Sequence, residues 1–365
     1  MTSTIRYHRF SRVLVLVGLF LQLGLLFLFA RLGWSRSFSQ HVLRLTRNYY
    51  LGVLLYWSTI CLVLTLVLAG VSACSYVLER TYQLTKQSYS SWFGDYSKRR
   101  LINWAITSIG VAWFYCAVRN SPERWYIWFW LAIVLFHIGV LLLIDSVFLP
   151  FFYKVTPLES GEVFERLSQL AGRAGISHPK FAVLQVGEKT PRSNAAVTGI
   201  AGRYRILITD TVLKTFTTEE IEAVVAHEIG HQVKHHTSTR VLLLALLNFL
   251  PLLMAYPLLP EFISDLSNFG YLPDLFIVWW VVSQYVLILF GLFARTQEYA
   301  ADRFSWQLTG NIPAFISMLR KLAAQNQMMT HKRVSTSHPA VDSRIAAAEK
   351  FLQHQPAVVS TSASP

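Results

Sequence analysis

His227, Glu228 and His231 lie in the run Ala226-His227-Glu228-Ile229-Gly230-His231, two imidazoles and a carboxylate at the spacing of a helical metal site. Residues i and i+4 share one face of an α-helix, so both histidines can turn a ring nitrogen toward one ion, with Glu228 beside them. His-Glu-x-x-His arises by accident on the order of once in a hundred chains of this composition, so chance is a weak rival. The chemistry it points to is peptide-bond hydrolysis. Zinc would activate a water molecule and polarise the scissile carbonyl, while Glu228, the general base, takes the water proton and passes it to the leaving amine.

A catalytic zinc takes three protein ligands and keeps its fourth position open, so one ligand is still to be found. Glu298 is the leading candidate. The stretch 295–304 reads as helix, and Glu298 and Asp302 lie one turn apart on it. Glu298 would bind zinc, and Asp302 would accept a hydrogen bond from the second ring nitrogen of a liganding histidine. From spacing alone, a solvated face on which these carboxylates pair with Arg295 and Arg303 explains the pattern equally well. His235 and His236 extend the histidine run, but three histidines along one helix reach too far to close on a single ion. Both are expected to be exposed.

Such a site needs a helix and a place for substrate. Thr217 and Glu220 form a Thr-x-x-Glu capping box, and Ile221, Val224 and Val225 supply an apolar stripe, which together predict a helix from about 218 to 235. Upstream, the pattern predicts an amphipathic helix near 160–174 and strands at Lys180 to Val186, Ala195 to Thr198 and Tyr204 to Thr209. Gly199 and Gly202 mark the turn joining the last two. This small α+β unit would offer a sheet edge beside the metal, and an extended peptide can pair with such an edge.

The rest of the chain is membrane. Hydrophobic residues make up 53% and charged residues 15%, too apolar for a soluble chain of 365 residues. Six runs, at about 13–30, 50–73, 101–118, 125–149, 241–260 and 275–294, approach or exceed the ~20 residues that cross a bilayer. The run at 101–118 is short and that at 241–260 carries Pro251 and Pro257, so each is open to a broken or re-entrant path. The connection at 259–274 holds Glu261, Asp265 and Asp274 without a basic residue, which places it away from the cytoplasm. The metal helix and Glu298 then share the cytoplasmic side. Arg31, Arg36, Arg44 and Arg47 in the first outer loop run against that rule.

The fold class is therefore mainly α: about six polytopic membrane helices with a small cytoplasmic α+β zinc-peptidase domain. The expected organisation is membrane helices 1 to 4 over 1–150, a peptidase segment over 151–240 and membrane helices 5 and 6 over 241–295. The third-ligand helix and a C-terminal catalytic segment fill 296–354, and a disordered tail rich in Ser, Ala, Pro and Thr follows at 355–365. The formal charge of +13 is spread over loops without a nucleic-acid module, so the expected partners are the lipid bilayer and a protein or peptide substrate, not nucleic acid. Cys61, Cys74 and Cys116 lack metal-ligand spacing and are expected to pack as small hydrophobes.

Six segments occur in one order: Val155-Thr156-Pro157-Leu158-Glu159-Ser160-Gly161-Glu162, Ser193-Asn194-Ala195, Arg205-Ile206-Leu207-Ile208-Thr209-Asp210-Thr211, the histidine helix, Glu298-Tyr299-Ala300-Ala301-Asp302 and Ser337-His338-Pro339-Ala340. With them the chain resembles the CAAX prenyl protease (Ste-type) family of integral-membrane zinc metallopeptidases, related to the HtpX-type heat-shock proteases. The resemblance covers about 150–350. It implies a gluzincin site with one zinc on His227, His231 and Glu298, and Asn194 on the edge strand near substrate. It also implies His338 as the donor to the developing oxyanion, with Arg344 near the reacting carbonyl. The family's ring of helices around a water-filled chamber would suit His137 and Asp145 as lining. This chain is shorter than that family and shows about six spans where the family has seven.

Three other readings compete. An HtpX-like quality-control protease of broad specificity shares every catalytic residue. A metal-binding transporter would place its ligands within spans, whereas this helix lies in a charged segment. An intramembrane zinc protease would bury its metal helix in an apolar run and carry a Leu-Asp-Gly triplet, which the chain lacks.

Overall fold

The computed structural model describes residues 2–177, 179–200, 203–326 and 338–354. The expected disordered tail at 355–365, together with Gly202 and Ser337, lies outside them. The chain forms two compact units: Met1–Lys154, Val186–Pro191 and Thr237–Gly291 make the first, and Val155–Gln185, Arg192–His236 and Leu292–Pro365 the second.

The first unit begins with helices α1 (Thr2–Arg31), α2 (Trp34–Thr46), α3 (Tyr49–Thr81), α4 (Tyr89–Asn120) and α5 (Trp125–Leu143). A π turn (Ile144–Phe148) and the short α6 (Leu149–Phe152) follow. Among the described residues six helices are long and apolar enough to cross a membrane: α1, α3, α4, α5, and two downstream that take in His236–Leu259 and Phe269–Thr309. The short run at 101–118 is the inner part of the 32-residue α4. The run with Pro251 and Pro257 is continuous helix, since a membrane helix tolerates proline where neighbours satisfy its backbone.

The connection after the first span is the helix α2 (Trp34–Thr46), and the basic residue that leads into it has an observable partner. Arg31 at the end of α1 donates to Asp274 at 3.2 Å, and the Tyr49 hydroxyl donates to the Ser267 carbonyl at 2.5 Å. Ser35 donates to the Gly270 carbonyl. A Cβ on Gly270 would meet Ser39 Oγ at 2.7 Å and the Arg36 backbone at 2.9 Å, so only glycine allows α2 to approach this closely. Tyr56, Tyr115 and Phe269 form the buried aromatic centre of the unit. In α5, His137 Nδ1 lies 2.7 Å from the Ile133 carbonyl of its own helix. The three cysteines are free, Cys61 half-buried, Cys74 and Cys116 exposed on apolar helices.

The second unit is α+β. Strand β1 (Lys154–Pro157), helix α7 (Glu162–Arg173), strands β2 (Lys180–Gln185), β3 (Ala195–Ile200) and β4 (Arg203–Thr209), and helices α8 (Asp210–Thr215) and α9 (Thr218–Val233) follow in order. After α10 (His236–Phe262), a 3-10 turn (Phe269–Tyr271) and the part of α11 (Leu272–Thr309) up to Gly291, which belong to the first unit from Thr237 on, the rest of α11, α12 (Ile312–Gln325) and α13 (Val341–Gln353) complete the second. The sheet order is β1-β2-β4-β3, with β2 parallel and β3 antiparallel to β4. The three expected strands are present within two residues of their expected ends, and β1 joins them as a fourth. Strand β3 is an edge. Leu167, Leu170, Ile206, Ile208, Ile221, Ile229 and Phe315 fill the core, sheet residues against α7, α9 and α12.

Candidate metal centre

Helix α9 carries the histidines and starts where the capping box places it. Thr217 Oγ1 accepts from the Glu220 N–H, and the Glu220 carboxylate accepts from the Thr217 N–H at 2.8 Å. The Glu220 side chain is buried and also receives Ser317 Oγ and Lys321 Nζ, each at 2.6 Å, which ties α9 to α12. Gln232 Nε2 donates to the Val197 carbonyl at 3.2 Å, tying the far end of α9 to the edge strand β3.

The same helix lies against the C-terminal part of α11. Ser305 Oγ donates to the Ala223 carbonyl, and Gly230 faces Phe304 and Ala301, where a Cβ would come within 3.1 to 3.3 Å of both. The glycine inside the histidine motif leaves this contact uncrowded, so the two helices close without displacing Phe304 or the Ala301 backbone, and Glu298 reaches the imidazoles.

Three side chains converge there. His227 Nε2 and His231 Nε2 are 3.3 Å apart. Glu298 Oε2 lies 3.5 Å from His227 Nε2, and Oε1 lies 3.4 Å from His231 Nε2. Ligands about 2.0–2.1 Å from a tetrahedral ion are about 3.3 Å from one another, so the two imidazoles and the Glu298 carboxylate, one oxygen toward each ring, stand at the spacing of a zinc coordination shell. Among the described residues, these are the His, Cys, Asp and Glu side chains grouped closely enough to hold a metal. The ambiguity over Glu298 is resolved against a solvated face, because its residue exposure is 0%.

The surroundings favour a cation. Burial disfavours a charged His227 ring, yet its hydrogen bonds to Asp302 and Glu298 prevail and raise its pKa to about 9. An environment that favours an imidazolium favours a divalent ion for the same reason. His227 Nδ1 lies 2.9 Å from Asp302 Oδ1, the partner expected for that carboxylate. Glu228 is half-buried, between the two histidines in sequence.

His338 is brought to the site, with Nδ1 2.7 Å from Glu298 Oε2 and its side chain 49% exposed. Arg344 is brought in differently from the expectation of a substrate contact. Its side chain is buried, and Nε and Nη2 both donate to Asp302, so its fork is committed beneath the histidines. Burial works against its charge, and the Asp302 carboxylate raises its pKa nonetheless. Asn194 is exposed immediately before β3. Its N–H donates to Thr209 Oγ1 and its carbonyl accepts from the Thr209 N–H, which sets the register of the edge strand.

One residue corrects the sequence reading. His235 is exposed, as expected, but His236 is buried, with Nδ1 2.8 Å from His231 Nδ1. An unbroken helix would have carried it away from His231. Instead His235 takes a left-handed φ of 55° and the chain turns.

Residues 157–352 match the model of peptidase family M48. The chain belongs to that family. Residues 2–154 match the N-terminal domain of CAAX prenyl proteases, described as five membrane helices. In this chain that region has four helices of spanning length, together with α2 and α6.

Among relatives of the M48 chain, the metalloprotease YhfN of Bacillus subtilis is 25% identical over 359 residues, covering 94% of this chain and 84% of its own. CAAX prenyl protease 1 of Saccharomyces cerevisiae is 27% identical over 302 residues, covering 74% and 66%. An HtpX homologue of Chlorobium phaeobacteroides is 29% identical over 221 residues, covering 53% and 73%. The crystal structure of Ste24p from S. mikatae superposes with a TM-score of 0.80 at 24% identity, covering 94% and 87%, and shares the fold. The protein is a multi-pass membrane metalloprotease.

Proposed function

We propose that this M48 protein is a zinc endopeptidase of the gluzincin type, holding one zinc ion on His227, His231 and Glu298 and acting at the cytoplasmic face of its membrane. The observation that carries this reading is the convergence of His227 Nε2, His231 Nε2 and the two oxygens of the Glu298 carboxylate, at 3.3, 3.4 and 3.5 Å. When bound, zinc supplies a Lewis acid that lowers the pKa of water toward ~7 and polarises the scissile carbonyl.

The chain's own groups do the rest. Glu228, as general base, accepts the proton of the attacking water and returns it to the leaving amine nitrogen. Asp302 holds His227 by its Nδ1 proton, with Arg344 offsetting the buried charge. His338 lies against Glu298 through Nδ1 and, with a hydrogen on both ring nitrogens, would donate from Nε2 to the developing oxyanion while Nδ1 donates to the carboxylate. Asn194 and β3 would align an extended polypeptide by backbone pairing along the sheet edge.

The substrate class we propose is the prenylated C-terminal peptide, supported by the match of residues 2–154 to the CAAX prenyl protease N-terminal domain. The HtpX homologue favours a second reading, broad cleavage of unfolded protein, over a smaller share of the chain. The test is cleavage by the detergent-solubilised full chain, with zinc per chain measured alongside. One zinc per chain and cleavage of a prenylated peptide, absent in Glu228→Gln, is the expected result. Cleavage of an unfolded reporter alone would overturn the substrate class, and no bound metal would overturn the mechanism.

A further inference from the structure

The two histidines of the metal centre are backed by different chemistry. His227 presents Nδ1 to the buried carboxylate of Asp302 at 2.9 Å. His231 presents Nδ1 to another imidazole, His236 Nδ1, at 2.8 Å, with ring centroids 5.0 Å apart and planes inclined by 69°. Two ring nitrogens at that distance share one proton, one donating and the other accepting.

We propose that His236 is a positioning residue for the metal centre: it accepts the Nδ1 proton of His231 and so fixes the tautomer and ring angle that present Nε2 to the ion. The inference rests on the proposed ligand role of His231. A nitrogen that binds metal offers its lone pair, so a neutral His231 bound through Nε2 carries its proton on Nδ1. The partner must then be a lone pair, and His236 Nδ1 is the atom in place. Unlike Asp302, this acceptor is neutral, so His231 gains orientation without a second buried anion.

The backbone is shaped for this contact. Five residues along a continuous α-helix turn about 140° around its axis, which would carry residue 236 away from the face of His231. Helix α9 ends at Val233 instead, His235 takes φ 55°, and His236 opens α10 as a buried residue, 7% exposed. An L-residue enters the left-handed region only against a steric penalty, so the return of His236 is held by its surroundings.

The test separates an acceptor from a filler of space. Asparagine at 236 places an amide oxygen where Nδ1 stands, phenylalanine keeps the ring volume without an acceptor, and alanine keeps neither. Zinc affinity of the full-length detergent-solubilised protein would be measured by competition with a chromophoric chelator, using zinc alone as probe. Thermal unfolding of each metal-free variant checks that it folds.

His236→Phe and His236→Ala are expected to weaken zinc binding by about 10- to 100-fold, and His236→Asn to restore it to within about threefold of the parent. A folded His236→Phe protein that binds zinc as the parent does would overturn the inference while leaving the ligand set intact. A parent protein that binds zinc no better than His231→Ala would overturn the ligand reading, and this inference with it.

Discussion

Arg344 grips Asp302 with two parallel hydrogen bonds, Nε to Oδ2 at 2.8 Å and Nη2 to Oδ1 at 2.5 Å, directly beneath His227. The pair couples α13 to α11 at a fully buried carboxylate whose oxygen also receives the imidazole. Removing the guanidinium strands that charge. Arg344→Ala should therefore lower stability by about 3–5 kcal/mol, as breaking one side of a buried ion pair does. Arg344→Lys should recover only part of this, since an ammonium cannot reproduce the bidentate fork. Thermal unfolding of the solubilised variants measures both, and equal stability of Arg344→Ala and the parent would refute the account.

Glu228 is assigned to proton transfer and not to metal binding. Glu228→Gln should reduce turnover by about 10²-fold or more while leaving bound metal unchanged. Glu298→Ala should instead lose the metal, and chelation of the parent should give an inactive protein of lower Tm that zinc restores. Metal content read beside turnover distinguishes the roles; a Glu228→Gln protein that has lost its metal would move that residue into the ligand set.

His338 contacts Glu298 yet remains half exposed, which suits a group that meets both ligand and substrate. If its donation to the oxyanion is its main contribution, His338→Ala should lower kcat by about 10²- to 10³-fold with KM and zinc content close to the parent's. A loss of zinc as large as that of Glu298→Ala would reduce His338 to a support for the ligand.

Much of this site was legible in the sequence because one helix carries its periodicity openly: the i, i+4 histidines and the Thr217–Glu220 capping box predict α9, and the structure forms it at Thr218–Val233. Glu298 could not be assigned by spacing, since contact across 67 or more residues depends on the closeness of α9 and α11 that Gly230 permits. The contact of His236 is not legible, because the helical pattern predicts α9 past Val233 and the left-handed turn at His235 has no glycine or asparagine to announce it. The fork of Arg344 was likewise invisible, for only tertiary packing decides whether an arginine meets substrate or a buried carboxylate.

Glu220 gives the centre an acid limit. Burial raises its pKa, but Lys321, Ser317 and the Thr217 N–H outweigh that and hold it below its ordinary value of 4.5. A carboxylate with a lowered folded pKa contributes stability that is fully present above 4.5 and is lost as pH falls through the folded value. Glu220→Gln keeps a capping side chain and loses the charge. It should be less stable than the parent at pH 7, with the difference shrinking as pH falls below about 4.5. Unfolding temperatures across that range test the sign, and a gap that widens in acid would contradict it.

The sheet edge yields a test of substrate alignment that leaves the metal untouched. The Thr209 N–H donates to the Asn194 carbonyl, and pairing alternates along an antiparallel ladder, so Ala196 and Thr198 face β4 while Ala195 and Val197 point their backbone outward. The Val197 carbonyl bears this out, since Gln232 of α9 reaches it from outside the sheet. A proline at an outward position of an edge strand removes an N–H without breaking the ladder. Val197→Pro should therefore keep zinc and fold, yet lower kcat/KM by about 2- to 10-fold, the worth of one backbone hydrogen bond to an extended substrate. Ala196→Pro, which removes an inward N–H, should instead lower the unfolding temperature. If Val197→Pro cleaves with the parent's kcat/KM, substrate does not pair with the outward N–H of this strand.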